Sequence, residues 1–235
     1  MKVAAVQFRA TPGDNGDSLR RLIELADEAA MGQDLLVLPE MAVTGYGFER
    51  REDVLEVAET PDGPTGQALS RVAARHGCWV VCGFPELDGD RLFNSAMVLD
   101  GRGETQFVYQ KMCLFEADYV WASPGERGYR TFETPSGAFT VGICMDLNDD
   151  NLLRWIIEES PRALAFPTNW VDEGSDVWPY WAWRLQGTGT ALVAANSYGL
   201  HGKIPLRGRS AILDDDTLLA GGPPTGDGIL RATLP

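Results

Sequence analysis

Residues 35 to 40 read Leu35-Leu36-Val37-Leu38-Pro39-Glu40, an uninterrupted apolar run that ends at a proline and a carboxylate. A strand with one face in water alternates apolar and polar side chains. This run has no polar member before its end, so it predicts a strand that is buried on both faces. Such a strand is typical of a sheet that is covered by helices.

Strand and helix patterns alternate on both sides of this run. Before it, residues 3–8 predict a strand, and an apolar face over residues 19–26 predicts a helix that stops near Gly32. No linker or low-complexity segment divides the series, so we predict one domain over residues 1–235 with mixed α/β layers. The remaining predicted elements are helices around 69–73, 152–157 and 178–185, and strands at 79–84, 93–99, 106–110, 139–144, 163–166, 191–195, 210–213 and 229–234.

Acidic residues outnumber basic ones in this chain of 235 residues. There are 34 Asp and Glu against 20 Lys and Arg, a formal net charge of -14. A surface this acidic repels phosphate backbones and anionic lipid, which argues against nucleic-acid and membrane partners. No apolar run approaches the roughly 18 to 20 residues of a membrane span, and the first residues lead directly into a strand pattern. We therefore expect a cytoplasmic protein.

The cysteines and histidines favour neither disulfides nor a metal centre. Four cysteines are too few and too unevenly spread for a disulfide framework in a chain of this length, so we expect free thiols. Two histidines and one closely spaced cysteine pair do not complete a zinc site. We therefore expect no bound metal. The cysteines are Cys78, Cys82, Cys113 and Cys144.

Three reactive side chains follow predicted strands. Glu40 ends the run quoted above, Lys111 follows the strand at 106–110, and Cys144 ends the strand at 139–144. Reactive groups of layered α/β proteins collect at the carboxyl ends of strands. A thiol is a good nucleophile only as the thiolate, so it needs a base and a nearby cation. Glu40 and Lys111 supply those two types of group.

The sequences around these residues are specific. They are Leu36-Val37-Leu38-Pro39-Glu40 followed by Thr44-Gly45-Tyr46, then Tyr109-Gln110-Lys111-Met112-Cys113-Leu114-Phe115, then Gly142-Ile143-Cys144-Met145-Asp146. These segments resemble the three signature segments of the nitrilase superfamily of carbon-nitrogen hydrolases. Residues 123–126, 166–170 and 193–196 resemble further segments of that family in the same order, so the resemblance spans nearly the whole chain.

The resemblance implies a four-layer αββα sandwich in which Glu40, Lys111 and Cys144 are the catalytic residues. Glu40 would accept the thiol proton, the Cys144 thiolate would attack an amide carbonyl, and Glu40 would return the proton to the departing amine. The Lys111 ammonium and the backbone N–H of Met145 are the natural donors to the oxyanion. Water would then hydrolyse the thioester, without any cofactor.

Two positions depart from the family. The histidine that is common two residues after the lysine is Cys113 here, which we interpret as a packing residue. Many members carry a second glutamate between the lysine and the cysteine, and the aligned residue here is Asp118. Glu116 and Asp118 are therefore rivals for that role. Tyr46, in the loop after Glu40, and Asn169 and Trp170, after the strand at 163–166, are candidate substrate contacts. For the two aromatic side chains, core packing is the competing interpretation.

The resemblance implies an enzyme of the amidase type that releases ammonia from a small amide. Hydrolysis of an N-carbamoyl compound or of a nitrile is the alternative chemistry. A catalytically inactive scaffold that binds a metabolite is a further alternative, and so is a glutaminase component that hands ammonia to a separate synthetase. Members of this family commonly self-associate, so the resemblance also implies a homodimer or a larger homo-oligomer.

Overall fold

The computed structural model describes all 235 residues, which form two six-stranded sheets packed face to face. Helices cover the outer face of each sheet. A two-stranded hairpin lies outside both sheets. The strands are β1 (Lys2–Gln7), β2 (Leu35–Val37), β3 (Trp79–Asp88), β4 (Arg91–Leu99), β5 (Thr105–Gln110), β6 (Thr131–Thr134), β7 (Gly137–Val141), β8 (Ala163–Thr168), β9 (Ala191–Asn196), β10 (Tyr198–His201), β11 (Ile204–Arg207), β12 (Ala211–Asp214), β13 (Thr217–Gly221) and β14 (Gly228–Thr233).

The two sheets have related orders. The first is β14-β1-β2-β3-β4-β5, and the second is β13-β12-β9-β8-β7-β6. In each sheet three central strands are parallel, namely β1-β2-β3 and β7-β8-β9, and the remaining pairs are antiparallel. Parallel neighbours need long crossovers, which the helices supply. The hairpin pairs β10 with β11.

The chain has five α-helices, of which all but the short α2 pack on the outer faces of the sheets. They are α1 (Asn15–Ala30), α2 (Arg51–Leu55), α3 (Pro64–His76), α4 (Asp150–Glu159) and α5 (Trp178–Leu185). The Asp14 side chain accepts a hydrogen bond from the Asp17 backbone N–H at 2.9 Å and so caps the start of α1. Gly77 ends α3 at a φ of 64°, a conformation that suits glycine. None of the five helices is long and apolar enough to cross a membrane.

Apolar side chains fill the three spaces between the four layers. Leu35 and Val37 point between the sheets, where they join Phe139 and Val141 of the second sheet. Leu36, on the opposite face of β2, packs in the cluster that includes Leu22 of α1. Burial on both faces of β2 is therefore confirmed. A third cluster packs α4 and α5 on the second sheet, so the chain forms the predicted αββα sandwich.

The structure corrects the strand predicted for residues 139–144. β7 ends at Val141, and Cys144 begins a short 3-10 helix, Cys144–Asn148, with a φ of 44°. A left-handed conformation interrupts a strand, so Cys144 lies beyond the strand end. Four short elements were not predicted: α2, β6, β13 and the β10-β11 hairpin. β13 is almost wholly exposed, so it has no apolar alternation for a sequence pattern to detect.

Candidate active site

Glu40, Lys111 and Cys144 meet at one end of the sandwich, where β2, β5 and β7 finish. The Lys111 ammonium Nζ lies 2.8 Å from Glu40 Oε1 and 2.7 Å from Asp118 Oδ2. All three side chains are fully buried. The Cys144 thiol lies close enough to Glu40 and Lys111 for both charges to act on it. The structure therefore brings the predicted base, cation and nucleophile together.

Asp118, rather than Glu116, contacts Lys111. The Glu116 side chain is exposed, whereas Asp118 begins a buried 3-10 turn, Asp118–Val120. The turn directs its carboxylate back toward Lys111, which offsets the loss of one methylene relative to glutamate. Asp118 Oδ1 accepts a hydrogen bond from the Tyr46 hydroxyl at 2.9 Å, and Oδ2 accepts one from the Phe115 backbone N–H at 2.9 Å. These bonds fix the carboxylate that holds the ammonium.

Asn94 joins the two carboxylates and was not predicted. Its Nδ2 donates to Glu40 Oε1 at 2.7 Å and to Asp118 Oδ1 at 3.1 Å. Glu40 Oε2 has no hydrogen-bond partner within the protein. One carboxylate oxygen of Glu40 is thus held by Lys111 and Asn94, and the other remains available as an acceptor. The sequence signal was a polar residue inside the apolar strand β4.

The backbone next to Glu40 is held by a close approach to β3. The Gly83 N–H donates to the Pro39 carbonyl at 3.0 Å, and the Ala42 N–H donates to the Gly83 carbonyl at 2.9 Å. A Cβ at Gly83 would overlap the backbone of Glu40. Only glycine at position 83 allows β3 to pack this closely against the backbone of Glu40.

Burial is the largest influence on the pKa values of Glu40 and Cys144. Burial, reinforced by the negative charge of Glu40, raises the pKa of Cys144 to about 12, although Lys111, the Thr168 hydroxyl and the Asn169 backbone N–H act in the opposite direction. Burial also raises the pKa of Glu40, although the Lys111 ammonium opposes that rise. The resting site at neutral pH therefore contains a protonated thiol next to a carboxylate of increased basicity.

Lys111 remains a cation in this buried site. Burial alone would lower the pKa of its ammonium, but the carboxylates of Glu40 and Asp118 outweigh that effect and raise the pKa well above the usual value. The ammonium has three N–H donors, and the two carboxylates take two of them. The third is free to bind a developing negative charge on a substrate.

Asp146 ties the turn that carries Cys144 to the loop after Lys111. Its Oδ1 accepts hydrogen bonds from the backbone N–H groups of Met112 at 3.1 Å and Cys113 at 2.7 Å. Its Oδ2 accepts from the Ile143 backbone N–H and the Tyr109 hydroxyl, both at 2.8 Å. Burial raises the pKa of Asp146 to about 6, against the effect of these donors. The carboxylate is therefore ionised above neutral pH and accepts all four bonds.

Replacement Asp146→Asn is expected to lower the free energy of unfolding by about 1 to 3 kcal/mol at pH 8. An amide replaces one acceptor oxygen by an NH₂ group, so at least one buried backbone N–H loses its partner. Urea unfolding measures the change. The matched control Asp216→Asn removes an exposed carboxylate and should change the free energy by less than about 0.5 kcal/mol. Equal stabilities of the two variants would contradict the role given to Asp146.

A cavity of about 180 Å³ opens directly above Cys144. The sequence-predicted residues Tyr46, Met145, Asn169 and Trp170 all line it. Asn169 Nδ2 donates to the Glu40 carbonyl at 2.9 Å, while its buried Oδ1 has no partner within the protein. The cavity is therefore mostly apolar, and one of its lining side chains, Asn169, keeps an unpartnered acceptor oxygen. Its other lining residues, which were not predicted, are Phe115, Asn148, Val171 and Glu173.

His201 anchors the loop that carries Tyr46, a function that the sequence did not reveal. The Tyr46 backbone N–H donates to His201 Nδ1 at 3.1 Å, and His201 Nε2 lies 3.1 Å from the Ser197 hydroxyl. Burial lowers the pKa of His201 to about 4, so the imidazole is neutral and its Nδ1 can accept. The contact joins residues 155 positions apart, which local sequence patterns cannot detect.

No group of three or more His, Cys, Asp or Glu side chains is arranged to hold a metal ion. The functional groups at the site are the ionic triad of Glu40, Lys111 and Asp118, the Cys144 thiol, and several hydrogen-bond donors and acceptors. These groups can transfer a proton, form a covalent bond to carbon and stabilise an oxyanion.

Known proteins resemble the chain in both sequence and structure. A protein from Pyrococcus abyssi named nitrilase is 38% identical over 183 residues, which cover 75% of this chain and 63% of that protein. The protein N-terminal amidase of Schizosaccharomyces pombe is 35% identical over 161 residues, 63% of this chain and 56% of that protein. These matches therefore cover less than two thirds of the relatives' own length.

Solved structures share the fold. An amidase from Nesterenkonia sp. superposes with a TM-score of 0.89 at 22% identity, covering 100% of this chain and 90% of that chain. A variant of the Nesterenkonia sp. AN1 amidase, with acrylamide added at its active-site cysteine, also gives a TM-score of 0.89. The sequence pattern of the carbon-nitrogen hydrolase family matches residues 2–235. The chain thus belongs to the carbon-nitrogen hydrolase family.

Proposed function

We propose that this protein hydrolyses the C–N bond of a small primary amide through a thioester on Cys144 and releases ammonia. The observation that carries the proposal is the fully buried Lys111 ammonium between Glu40 and Asp118, beside a thiol that opens into a small cavity. Burying three ionised side chains is costly for stability, so such a cluster is expected where chemistry uses it.

In the first half of the reaction Glu40 acts as base and then as acid. Its carboxylate takes the proton from Cys144 Sγ while the sulfur attacks the amide carbonyl carbon. The carbonyl oxygen becomes an oxyanion, which the free N–H of the Lys111 ammonium and the Met145 backbone N–H stabilise. The C–N bond then breaks as Glu40 gives the proton to the departing nitrogen, which leaves as ammonia.

The second half regenerates the thiol with water. Glu40 takes a proton from a water molecule, and the resulting oxygen nucleophile attacks the thioester carbon. The same donors stabilise the second oxyanion. The C–S bond breaks, Cys144 recovers its proton from Glu40, and a carboxylic acid leaves. The sequence of steps needs only the amide, water and groups present in the chain.

Asp118 and Tyr46 act as positioning residues in this proposal. Asp118 holds the Lys111 ammonium, and the Tyr46 hydroxyl holds Asp118 while the Tyr46 ring forms a wall of the cavity. Trp170 forms another wall and packs edge-on against Trp181. A fixed ammonium and a shaped cavity place the carbonyl within reach of the sulfur.

Nitrile hydrolysis is the second candidate activity, because the matched Pyrococcus abyssi protein is named nitrilase. A thiolate attacks a nitrile carbon to give a thioimidate, and water then releases ammonia from it to leave the same thioester. The two activities therefore share the second half of the reaction.

The test measures ammonia release from small primary amides, nitriles and N-carbamoyl amino acids, together with carbon dioxide release. Acid quenching during turnover, followed by intact-protein mass measurement, detects the acyl group on Cys144. We expect ammonia without carbon dioxide from amides, and an added mass equal to the acyl group. Turnover of amides with no thioester under any quench condition would overturn the proposed mechanism. Carbon dioxide release would instead identify an N-carbamoyl hydrolase.

We further propose that the protein self-associates through the surface of α5 and β13. Trp183 is 61% exposed and Leu218 is 41% exposed, and both line a groove of about 470 Å³ between these elements. Large exposed apolar side chains that line one groove favour protein contacts. Sedimentation analysis is expected to give a mass of at least twice 25.7 kDa, and Trp183→Glu should shift the population toward the monomer. A monomeric wild-type protein at micromolar concentration would contradict the proposal.

A further inference from the structure

A second depression adjoins the cavity above Cys144. The first, here called the inner pocket, is the 180 Å³ cavity above Cys144. The second, here called the outer pocket, has a volume of about 300 Å³. Four residues line both pockets: Asn148, Trp170, Val171 and Glu173. A substrate whose amide reaches Cys144 would therefore extend past these residues into the outer pocket.

The charged side chains that line the two pockets are acidic. Glu173 lines both pockets and Asp176 lines the outer one, and no Lys or Arg lines either. Asp176 is compensated, because its Oδ1 lies 3.1 Å from Arg209 Nε and 3.6 Å from Arg207 Nε. Arg207 is in turn 2.9 Å from Asp172. The arginines nearest the opening are thus already paired with aspartates.

Glu173 is the carboxylate that remains without a cation. No Lys, Arg or His nitrogen lies within 4.0 Å of it. A further depression shares Phe115 and Val171 with the inner pocket and contains Lys203. That ammonium is paired with Glu49 at 2.7 Å, and Glu116 adds another negative charge there. The opening of the inner pocket therefore has an uncompensated negative charge.

We propose that Glu173 is a specificity-determining residue that selects amides with a cationic group at the far end of the acyl chain and disfavours amides with a carboxylate there. The inference rests on the proposed amide hydrolysis. The amide would occupy the inner pocket, where the unpartnered Oδ1 of Asn169 can accept one of its N–H groups. An ammonium at the other end of the molecule would then lie in the field of Glu173.

A preference for cationic amides distinguishes substrate classes that the proposed hydrolysis would otherwise treat alike. N-carbamoyl amino acids and half-amides of dicarboxylic acids carry a carboxylate, which a binding site recognises with arginine or lysine. Arg184 cannot serve, because it donates to the Leu147 carbonyl at 2.8 Å and pairs with Asp150. Amides with a free amine have the complementary charge, which lowers KM through favourable Coulomb interaction at the opening.

The test compares amides that differ in the terminal group alone. One series is 3-aminopropanamide, butanamide and succinamate, and a longer one is 5-aminopentanamide, hexanamide and adipamate. We expect wild-type kcat/KM to follow the order cationic, neutral, anionic in the series whose length suits the pockets. Glu173→Gln should reduce the ratio of kcat/KM for the cationic to the neutral amide by about two- to tenfold, and should raise the anionic-to-neutral ratio. Glu173→Lys should reverse the order.

A matched control and the salt dependence separate this effect from a structural one. Glu133→Gln removes an exposed carboxylate of β6 that lines neither pocket, and it should leave every ratio at the wild-type value. The wild-type preference should also shrink as ionic strength rises, because salt screens exposed charges. A change in fold or in loop position would not move cationic and anionic substrates in opposite directions.

The inference and the proposed function fail in different ways. Unchanged ratios in Glu173→Gln, or equal changes in Glu133→Gln, would overturn the role of Glu173 while amide hydrolysis stands. Absence of ammonia release from both neutral amides and both cationic amides by the wild-type protein would overturn the proposed function itself.

Discussion

Replacement Cys144→Ala is expected to reduce kcat/KM for a small primary amide by at least about four orders of magnitude, which corresponds to about 5 kcal/mol of transition-state stabilisation. The methyl group cannot form the thioester, so the oxyanion donors alone remain. The fold should persist, because Cys144 makes a small contribution to the core and alanine tolerates the same backbone. Ammonia release measures the activity, and circular dichroism checks the fold.

Cys113→Ala is the matched control for this variant. Cys113 is a half-buried thiol in the loop after Lys111, and its contact with Asp146 comes from its backbone N–H, which alanine retains. Wild-type activity is expected for Cys113→Ala. Loss of activity in both variants, or retention in both, would contradict the assignment of Cys144 as the nucleophile.

In the proposed mechanism, the high proton affinity of the Cys144 thiol requires a nearby carboxylate base. With its pKa raised to about 12 by burial and by Glu40, almost none of the thiol is ionised at neutral pH. Attack must therefore be coupled to proton transfer to Glu40, whose own pKa burial has raised. Until a substrate binds, the protonated thiol reacts little with oxidants or unrelated electrophiles.

The sequence predicted that the three candidate catalytic residues lie near strand ends, because each follows a strand pattern inside a short motif. Glu40 and Lys111 follow strands, as the motifs predicted. Cys144 lies three residues beyond the end of β7, at the start of a 3-10 helix. The alternation of strands and helices indicated mixed layers. Two sheets packed face to face were implied by the family resemblance, since strand patterns alone do not say which strands pair.

The supporting residues could not be predicted because they arrive from distant parts of the chain. Asn94 reaches Glu40 across 54 positions, and His201 reaches Tyr46 across 155. The choice between Glu116 and Asp118 depended on a 3-10 turn that no sequence pattern marked. Glu173 lies in an irregular loop that Val171 joins to Leu206 of β11, far along the chain. Such residues become visible only when the topology is known.

Replacement Lys111→Met is expected to lower the free energy of unfolding by about 3 to 5 kcal/mol at pH 8. Methionine has a similar length, but it leaves two fully buried carboxylates, Glu40 and Asp118, without the cation that lies 2.8 and 2.7 Å from them. An uncompensated buried charge costs far more than the lost contacts. Urea unfolding of both proteins at several pH values measures the difference.

The deficit of this variant should shrink as the pH falls from 8 toward 5. Burial raises the pKa of Glu40 above its unfolded value, so this group favours the folded state when protonated and opposes it once ionised. The Lys111 ammonium counteracts that rise in the wild-type protein. Without the Lys111 ammonium the pKa of Glu40 rises further. Acid then protonates the buried carboxylate and restores stability to the variant. The wild-type protein gains less stability over the same pH range.

A second variant separates the charge effect from the loss of packing. In Lys111→Met with Glu40→Gln one of the two buried carboxylates becomes neutral, so part of the lost stability should return at pH 8 while activity stays absent. If Lys111→Met lowered the free energy of unfolding by less than about 1 kcal/mol at every pH, the result would contradict an ionised triad of Glu40, Lys111 and Asp118. Lys111 would then be neutral or hydrated, and an uncharged amine could not stabilise the oxyanion as proposed. The unfolding experiment therefore tests a step of the mechanism without any substrate.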